Sequence, residues 1–253
     1  KLNASISRLS GAQNNLQNSI SYLEVQDGIL ESAGKILNRM NELKGLASQD
    51  PMKSAQDVAS YDNEFSDLQL QLYQISQQTF NGSSLFAKSV ETTGTTLAVF
   101  RGTRSQDHTI DIFTSDQGTN GTKVSLHRSL LLSALTIDSA LAGTTNGNAA
   151  GWSDAGNGTA AVGAGAPHND VTFAAKNIDN VLTLDQVSMG VFTQALENVA
   201  FLRAQNGGGM SRLTFAGESL AAQETNIRAA VGRIEDVDIA EESANLAKYS
   251  ILT

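Results

Sequence analysis

The stretch with the most chemistry to offer is GRIEDVDIAEESANLAKYSIL, Gly232 to Leu252, where Glu235, Asp236, Asp238, Glu241 and Glu242 crowd carboxylates into one segment. Such a segment could serve a metal, a catalytic acid or another helix. A dinuclear carboxylate site in a helical bundle draws on Glu-x-x-His pairs from facing helices, and the three histidines, His108, His127 and His168, all fall outside the helical patterns. There is no cysteine, which removes thiolate ligands, disulfides and cysteine nucleophiles together. His108 and Asp111 stand three apart in a strand-like segment, so they face opposite sides. The run Asp116 to Gly121 lacks the ligand alternation and the distal bidentate Glu of a calcium loop. With no His-Glu-x-x-His signature, no nucleophile–base pair and no phosphate-binding Gly loop between strand and helix, the chain is expected to have no catalytic, metal-binding or cofactor-binding residues and not to be an enzyme. The carboxylate-rich segment then reads either as a solvated helix face or as a contact surface. Helical geometry puts Asp238 and Glu241 at the edge of the stripe formed by Ile227, Val231, Ile234 and Val237, where they can meet a partner.

The elements that position this segment are legible in the hydrophobic pattern. Leucine recurs every seven residues at Leu2, Leu9, Leu16, Leu23, Leu30 and Leu37, with Ile6, Ile20, Ile29, Ile36, Met40 and Leu43 widening the stripe. The pattern predicts one helix over Lys1 to Ser48, about 70 Å long, and a stripe wide enough to pack against two neighbours. Asp50-Pro51 suits a helix start. From there Val58, Tyr61, Phe65, Leu68, Leu72 and Ile75 predict a second, antiparallel helix that ends at the turn Phe80-Asn81-Gly82. At the far end, Thr183 and Gln186 form a capping-box pattern before Leu184, Val187, Val191, Ala195, Val199 and Leu202, and Leu213, Leu220, Ile227 and Ile234 again repeat at seven. Gly207-Gly208-Gly209 interrupts them as a weak point in the helix.

Between the helical ends the composition changes. Leu97 to Phe100, Thr109 to Thr114 and Lys123 to His127 alternate as short strands, with a turn at Asn120-Gly121, helix patterning returns over Ser129 to Leu141, and Ala142 to Ala166 reads as a long glycine-rich surface loop, or loops between very short strands. The expected fold is mainly α with a β-containing insert: a long antiparallel helical rod built from both ends of the chain, plus a variable outer α/β or β domain. The expected divisions are residues 1–90, a helical hairpin of the rod; 91–180, the outer domain; and 181–253, the helices that complete the rod. At 253 residues and 40% hydrophobic the chain can bury a core. A net charge of −9 argues against nucleic acid as a partner, and no apolar run is long enough to insert in a membrane.

Both ends carry a resemblance. Arg233-Ile234-Glu235-Asp236-Val237-Asp238, followed by Ala240, Glu242, Lys248, Ile251 and Leu252, resembles the C-terminal signature of bacterial flagellins. Asp27-Gly28-Ile29, Leu37 to Leu43 (LNRMNEL) and Phe80-Asn81-Gly82 before Leu85-Phe86 resemble successive landmarks of the flagellin N-terminal region, and Leu97 to Ile112 is similar to a flagellin hairpin. The likeness covers roughly residues 1–115 and 183–253. It implies a folded-back chain whose terminal helices pair, exported through the hollow flagellar structure and polymerising into the filament that drives swimming. It implies a secreted protein of the flagellum and cell surface, with other flagellin subunits, an export chaperone and cap proteins as partners. It also implies residues before Lys1 and after Thr253, so the chain is expected to be a fragment lacking the terminal polymerisation segments.

The family's use of the C-terminal segment assigns Arg233, Glu235, Asp236, Asp238 and Glu241 to subunit contacts. Some flagellins meet a Toll-like host receptor through the first long helix, and here the corresponding run retains Arg39, Glu42 and Leu43 but has Asn41 for an arginine, and Asn63 where the neighbouring helix is expected to supply an acid. Weak receptor recognition is expected from these departures. The alternative reading is a flagellin-like cell-surface protein that binds a polysaccharide or host ligand through the outer domain. Trp152, the single tryptophan, among Asn146, Asn148, Asp154 and Asn157, is its candidate glycan contact.

Overall fold

The computed structural model describes residues 2–87, 91–92, 96–97, 109–115, 117–138, 170–187 and 189–251. The fold is mainly α, with long N- and C-terminal helices and a small strand-containing insert. Helix α1 runs Leu2–Gln49, α2 Ala55–Ser76, a single turn α3 Leu131–Ala134, and α4 Met189–Ile251. The strands are β1 (Thr79–Phe80), β2 (Ser83–Ser84), β3 (Glu91–Thr92), β4 (Thr96–Leu97), β5 (Thr109–Phe113), β6 (Lys123–His127), β7 (Thr136–Asp138) and β8 (Asp170–Thr172). They pair only two by two: β1 with β2, β3 with β4, β5 with β6, and β7 with β8 across a long excursion. The chain divides into two compact units, one made of Lys1–Ser21, Ile110–Leu126 and Gly209–Thr253, the other of Tyr22–Thr109 and His127–Gly208. The boundary therefore runs through both long helices, whereas the sequence divisions at 90 and 180 follow changes of composition.

In the larger unit the core comes from three helices. α1 buries Leu23, Leu30, Leu37 and Leu43, α2 buries Phe65, Leu72 and Ile75, and α4 buries Val191, Phe192, Ala195, Val199 and Leu202. Phe192 is the meeting point, edge-on to Phe65 at 6.1 Å and stacked on Phe173 at 4.9 Å. Arg39 of α1 reaches Glu64 of α2 at similar distances from the connecting turn, so these helices form an antiparallel hairpin. α4 is antiparallel to α1 as well: Gln49 meets Met189, Asp27 meets Arg203, and Leu23 meets Asn206.

The buried stripe of α1 is not the one its isoleucines suggest. Alongside the leucine column runs a second column seven residues apart, Ala12, Ser19, Gln26, Ala33 and Met40, and all five are buried. Ile20, Ile29 and Ile36 are only half-buried. Small and amide side chains at that column let the neighbouring helices approach; the β-branched residues flank the seam.

Several local expectations are corrected. Pro51 lies in a turn, not in the first turn of α2; the Asp50 side chain accepts from the Met52 N–H, and the N-cap is Ser54, in a capping box with Asp57. The Thr183/Gln186 capping box forms, but on a 3₁₀ turn over Leu184–Gln186; Val187 is extended and α4 begins at Met189. Of the helix predicted over Ser129 to Leu141, the described residues form α3 alone, β7 follows it, paired with β8 through Ile137 and Val171, and residues 139–141 lie outside the described residues. Asn81 and Gly82 both take positive φ (48° and 78°), the two-residue turn that joins β1 to β2. The strands at Lys123 to His127 and from Thr109 form as expected. Between them positive φ falls on Gly118 rather than on Asn120-Gly121, because a 3₁₀ turn occupies Gly118–Asn120.

In the smaller unit α1 buries Leu9, Ala12, Leu16 and Ser19, and α4 buries Leu213 and Leu220. A Cβ on Gly217 would stand 3.3 Å from Leu16 Cδ2, so glycine here serves close helix contact. The β5/β6 ribbon is tied by Asp111, which accepts from Lys123 Nζ and from Ser125 Oγ at 2.6 Å each, and to α4 by Arg212 Nη1 donating to the Ser125 carbonyl at 3.0 Å.

Candidate functional site

The carboxylate-rich segment lies within α4, which continues unbroken from Met189 to Ile251. Along its heptad column the burial changes progressively. Leu213 and Leu220 are fully buried, Ile227 is half-buried, and Ile234 is 59% exposed. Leu246 and Tyr249 are exposed, and Ile251 is 85% exposed. Leu16 stands opposite Gly217, between the buried Leu213 and Leu220, and beyond Ile227 the large apolar side chains Ile234, Leu246 and Ile251 are exposed. Arg233 is exposed beside Ile234. Glu235, Asp236, Asp238 and Glu241 lie on this same part of the helix, and their side chains are outside the described residues.

The second predicted cluster, Arg39, Glu42 and Leu43, is only partly brought together. Arg39 donates from Nε and Nη2 to both carboxylate oxygens of Glu64, at 2.7 and 3.1 Å, and from Nη1 to Glu42 at 3.1 Å. The Arg39 guanidinium holds the Glu64 carboxyl below the usual carboxylate range, and the two carboxylates push Arg39 upward. Thus Glu64, one step round the helix from Asn63, supplies the acid that the sequence reading looked for at Asn63. Leu43 is a correction: it is fully buried, held in the core by its place on the α1 stripe, and offers no contact surface. Trp152 and its amide neighbours lie outside the described residues.

Sequence reasoning missed a set of buried amides that fasten loops to helices in the larger unit. Gln69 accepts from the Leu182 N–H at 2.8 Å and donates to the Leu182 carbonyl at 2.8 Å, completing both backbone bonds of a residue far away in sequence. Gln26 donates to the Leu85 carbonyl at 2.6 Å, joined there by the Tyr22 hydroxyl. Asn198 donates to Ala134, and Asn206 to Leu23. Burial raises the Tyr22 hydroxyl, against a smaller opposing effect of Arg128. The available signal was position: Gln26 stands on a heptad column, and Gln69 between Phe65 and Leu72 on the apolar face of α2. Two ion pairs reinforce the α1/α4 seam, Arg203 to both oxygens of Asp27 (3.1 and 2.9 Å) and to Glu31 at 3.6 Å. Near the α1–α2 turn, Lys44 donates to the Leu184 carbonyl at 2.6 Å, and Asp62 accepts from the Leu184 N–H at 2.8 Å. Burial pushes Lys44 down, with Asp185 and Asp62 opposing it. These are structural latches: the amides, Lys44 and Asp62 hold backbone, and Arg203 holds the Asp27 and Glu31 carboxylates. Among the described residues no cluster of three or more metal-ligating side chains occurs, and no helix is long and apolar enough to cross a membrane.

Comparison with known proteins matches both ends of the chain. The family model for the bacterial flagellin N-terminal helical region matches residues 1–91, and that for the bacterial flagellin C-terminal helical region matches residues 189–253. Among curated relatives, flagellin of Listeria monocytogenes serovar 1/2a is 24% identical over 255 residues, covering 100% of this chain and 75% of the relative. Flagellin of Bacillus subtilis strain 168 is 26% identical and flagellin FlaB2 of Treponema pallidum 27%, each across 100% of this chain and 76% and 74% of the relative. The crystal structure of Bacillus cereus flagellin aligns with a TM-score of 0.48 at 21% identity, covering 86% of this chain and 94% of that one. With two flagellin models accounting for more than half of the sequence and the paired terminal helices in place, the chain belongs to the bacterial flagellin family.

Proposed function

We propose that the last turns of α4, from Arg233 through Glu235, Asp236, Asp238 and Glu241 to Ile251, are the surface by which this flagellin grips its neighbours. The chain is a structural subunit of the bacterial flagellar filament, self-assembling with other flagellin subunits. The observation that carries the proposal is the exposure gradient along the heptad column Leu213, Leu220, Ile227 and Ile234, which ends with Ile234 in water, together with the exposed Leu246 and Ile251 further along the helix. Fully covering each such side chain is worth roughly 1.5–3 kcal/mol. The flanking carboxylates and Arg233 then fix register and discourage unspecific association. Within the same reading the protein is secreted and works outside the cell, an export chaperone and cap proteins handle it before assembly, and no catalytic step is assigned to it. Recognition by a Toll-like host receptor is weak, since Arg39 is already paired within the subunit and Leu43 is buried.

The test uses the full-length protein with Ile234→Asp and Leu246→Asp. Electron microscopy and sedimentation are expected to show filaments for the parent and none for the variant, while circular dichroism of the two is the same. Filaments of normal length from the variant would overturn the assignment.

A further inference from the structure

The run Gly207-Gly208-Gly209 sits inside a continuous helix, and three observations set it apart. First, neither usual reason for a glycine applies. A Cβ built on Gly207 or Gly208 would meet no atom within 4 Å, in contrast to Gly217 of the same helix, where Leu16 stands close. The described glycines with positive φ are Gly82 and Gly118, so the run is not needed for a left-handed turn. Second, the packing of α4 thins from here onward: before the run Val191, Phe192, Ala195, Asn198, Val199, Leu202 and Asn206 are buried at close intervals, whereas after it, among the described residues, Leu213 and Leu220 are the buried ones, each seven residues beyond the last. Third, the boundary between the two compact units falls between Gly208 and Gly209.

We infer that Gly207-Gly208-Gly209 is a bending joint built into α4, with Asn206 as its fixed side. Glycine in a helix loses more backbone freedom on ordering than any other residue and leaves its hydrogen bonds open to water, so the turn it occupies opens most readily. Asn206 marks where free movement begins: its amide donates to the Leu23 carbonyl at 2.8 Å in a buried position, pinning α4 to α1 one residue before the run. Because a side chain would fit at Gly207 and Gly208, retaining glycine there lowers stability and raises compliance. This property belongs to the monomer and does not rest on the assembly surface proposed above.

The test compares the chain with its Gly207→Ala/Gly208→Ala variant. The Gly-to-Ala propensity difference amounts to about a fivefold change in a local opening equilibrium per position, hence roughly twenty-fivefold for both. In hydrogen–deuterium exchange the amides of residues 208–213 are expected to exchange faster than those two turns to either side, and to slow by about that factor in the variant. Gly232→Ala, which also meets no neighbour, is the control: it is expected to leave exchange at 208–213 unchanged. For bending itself, spin labels go on Glu197→Cys and Gln223→Cys, both exposed on α4 in a chain without native cysteine. Their distance distribution is expected to be broad and to narrow in the double alanine variant. Equal protection along α4 in the parent, or an unchanged distribution in the variant, would overturn the joint.

Discussion

The middle of α1 and the end of α4 carry the same kind of sequence and meet opposite fates. Both carry large apolar residues at heptad spacing, Leu23, Leu30 and Leu37 in α1 and Leu213, Leu220, Ile227 and Ile234 in α4. In α1, Leu23, Leu30 and Leu37 are buried; in α4, Ile234 and Leu246 stand in water. A heptad pattern thus specifies that a face is ready to be covered, and says nothing about whether the covering element is in the same chain. The difference also shows in the polar residues nearby. Those of the α1 region are spent on backbone, as with Gln26 on Leu85 and Asn206 on Leu23, whereas the last helical turns around Arg233 keep an open face.

The comparison is broken most directly by placing a charge in each stripe. Leu30→Asp buries an unpaired carboxylate in the larger unit and is expected to cost on the order of 4 kcal/mol or more. Leu246→Asp and the exposed Gln17→Asp should leave the thermal unfolding midpoint of the chain within about a degree or two of the parent. Equal midpoints for Leu30→Asp and Leu246→Asp would mean that the α1 stripe is not a core.

Next in size is the buried amide latch. Gln69→Leu keeps the volume but leaves the Leu182 N–H and carbonyl without partners, at about 1–3 kcal/mol for each group. Urea unfolding should show a loss of about 2–4 kcal/mol, since Gln69 meets both groups at once. Glycine substitutions sharpen the contrast more gently. Gly232→Ala, in the open end of α4, should gain up to about 1 kcal/mol of helix stability. Gly217→Ala should gain less, because Leu16 has to yield, and calorimetry on the pair measures the difference.

The smallest effect is expected from the surface pair Arg39–Glu64, whose side chains are well exposed to solvent. Glu64 is depressed by its hydrogen bonds to Arg39, so its contribution is fully present above the ordinary carboxylate pKa near 4.5 and is lost as pH falls through the lower folded value. The Glu64→Gln variant should therefore be slightly less stable than the parent at pH 7, and the gap should narrow as pH falls below 4.5. A gap that stays constant down to pH 3 would show that the ion pair contributes nothing.

How far the sequence could be read differs from place to place for physical reasons. The helices α1, α2 and α4 were legible because apolar residues at a helical period have to face one side whatever they face. The β1/β2 turn was legible because Asn81-Gly82 tolerates two positive φ values. Helix starts were misplaced by a few residues, since Asp50-Pro51 and Ser54 with Asp57 are both plausible caps and only the hydrogen bonds choose. The isoleucines of α1 misled because hydrophobicity does not say which flank of a stripe a neighbour occupies. At the candidate sites, the Arg39–Glu64 pair went unseen because it depends on the rotation of α2 against α1.

The sequence by itself determined the periodic helices at both ends, the weak run at Gly207 to Gly209, and the absence of cysteine. These follow from local rules, in which side chains three, four and seven apart share a face and each residue type brings fixed chemistry. Only the tertiary structure decided that Ala12, Ser19, Gln26 and Ala33 line the seam, that Gln69 completes the backbone of Leu182, and that the apolar column of α4 emerges into water beyond Ile227. Each of those depends on which distant segment arrives opposite a residue, and burial is a property of the pair.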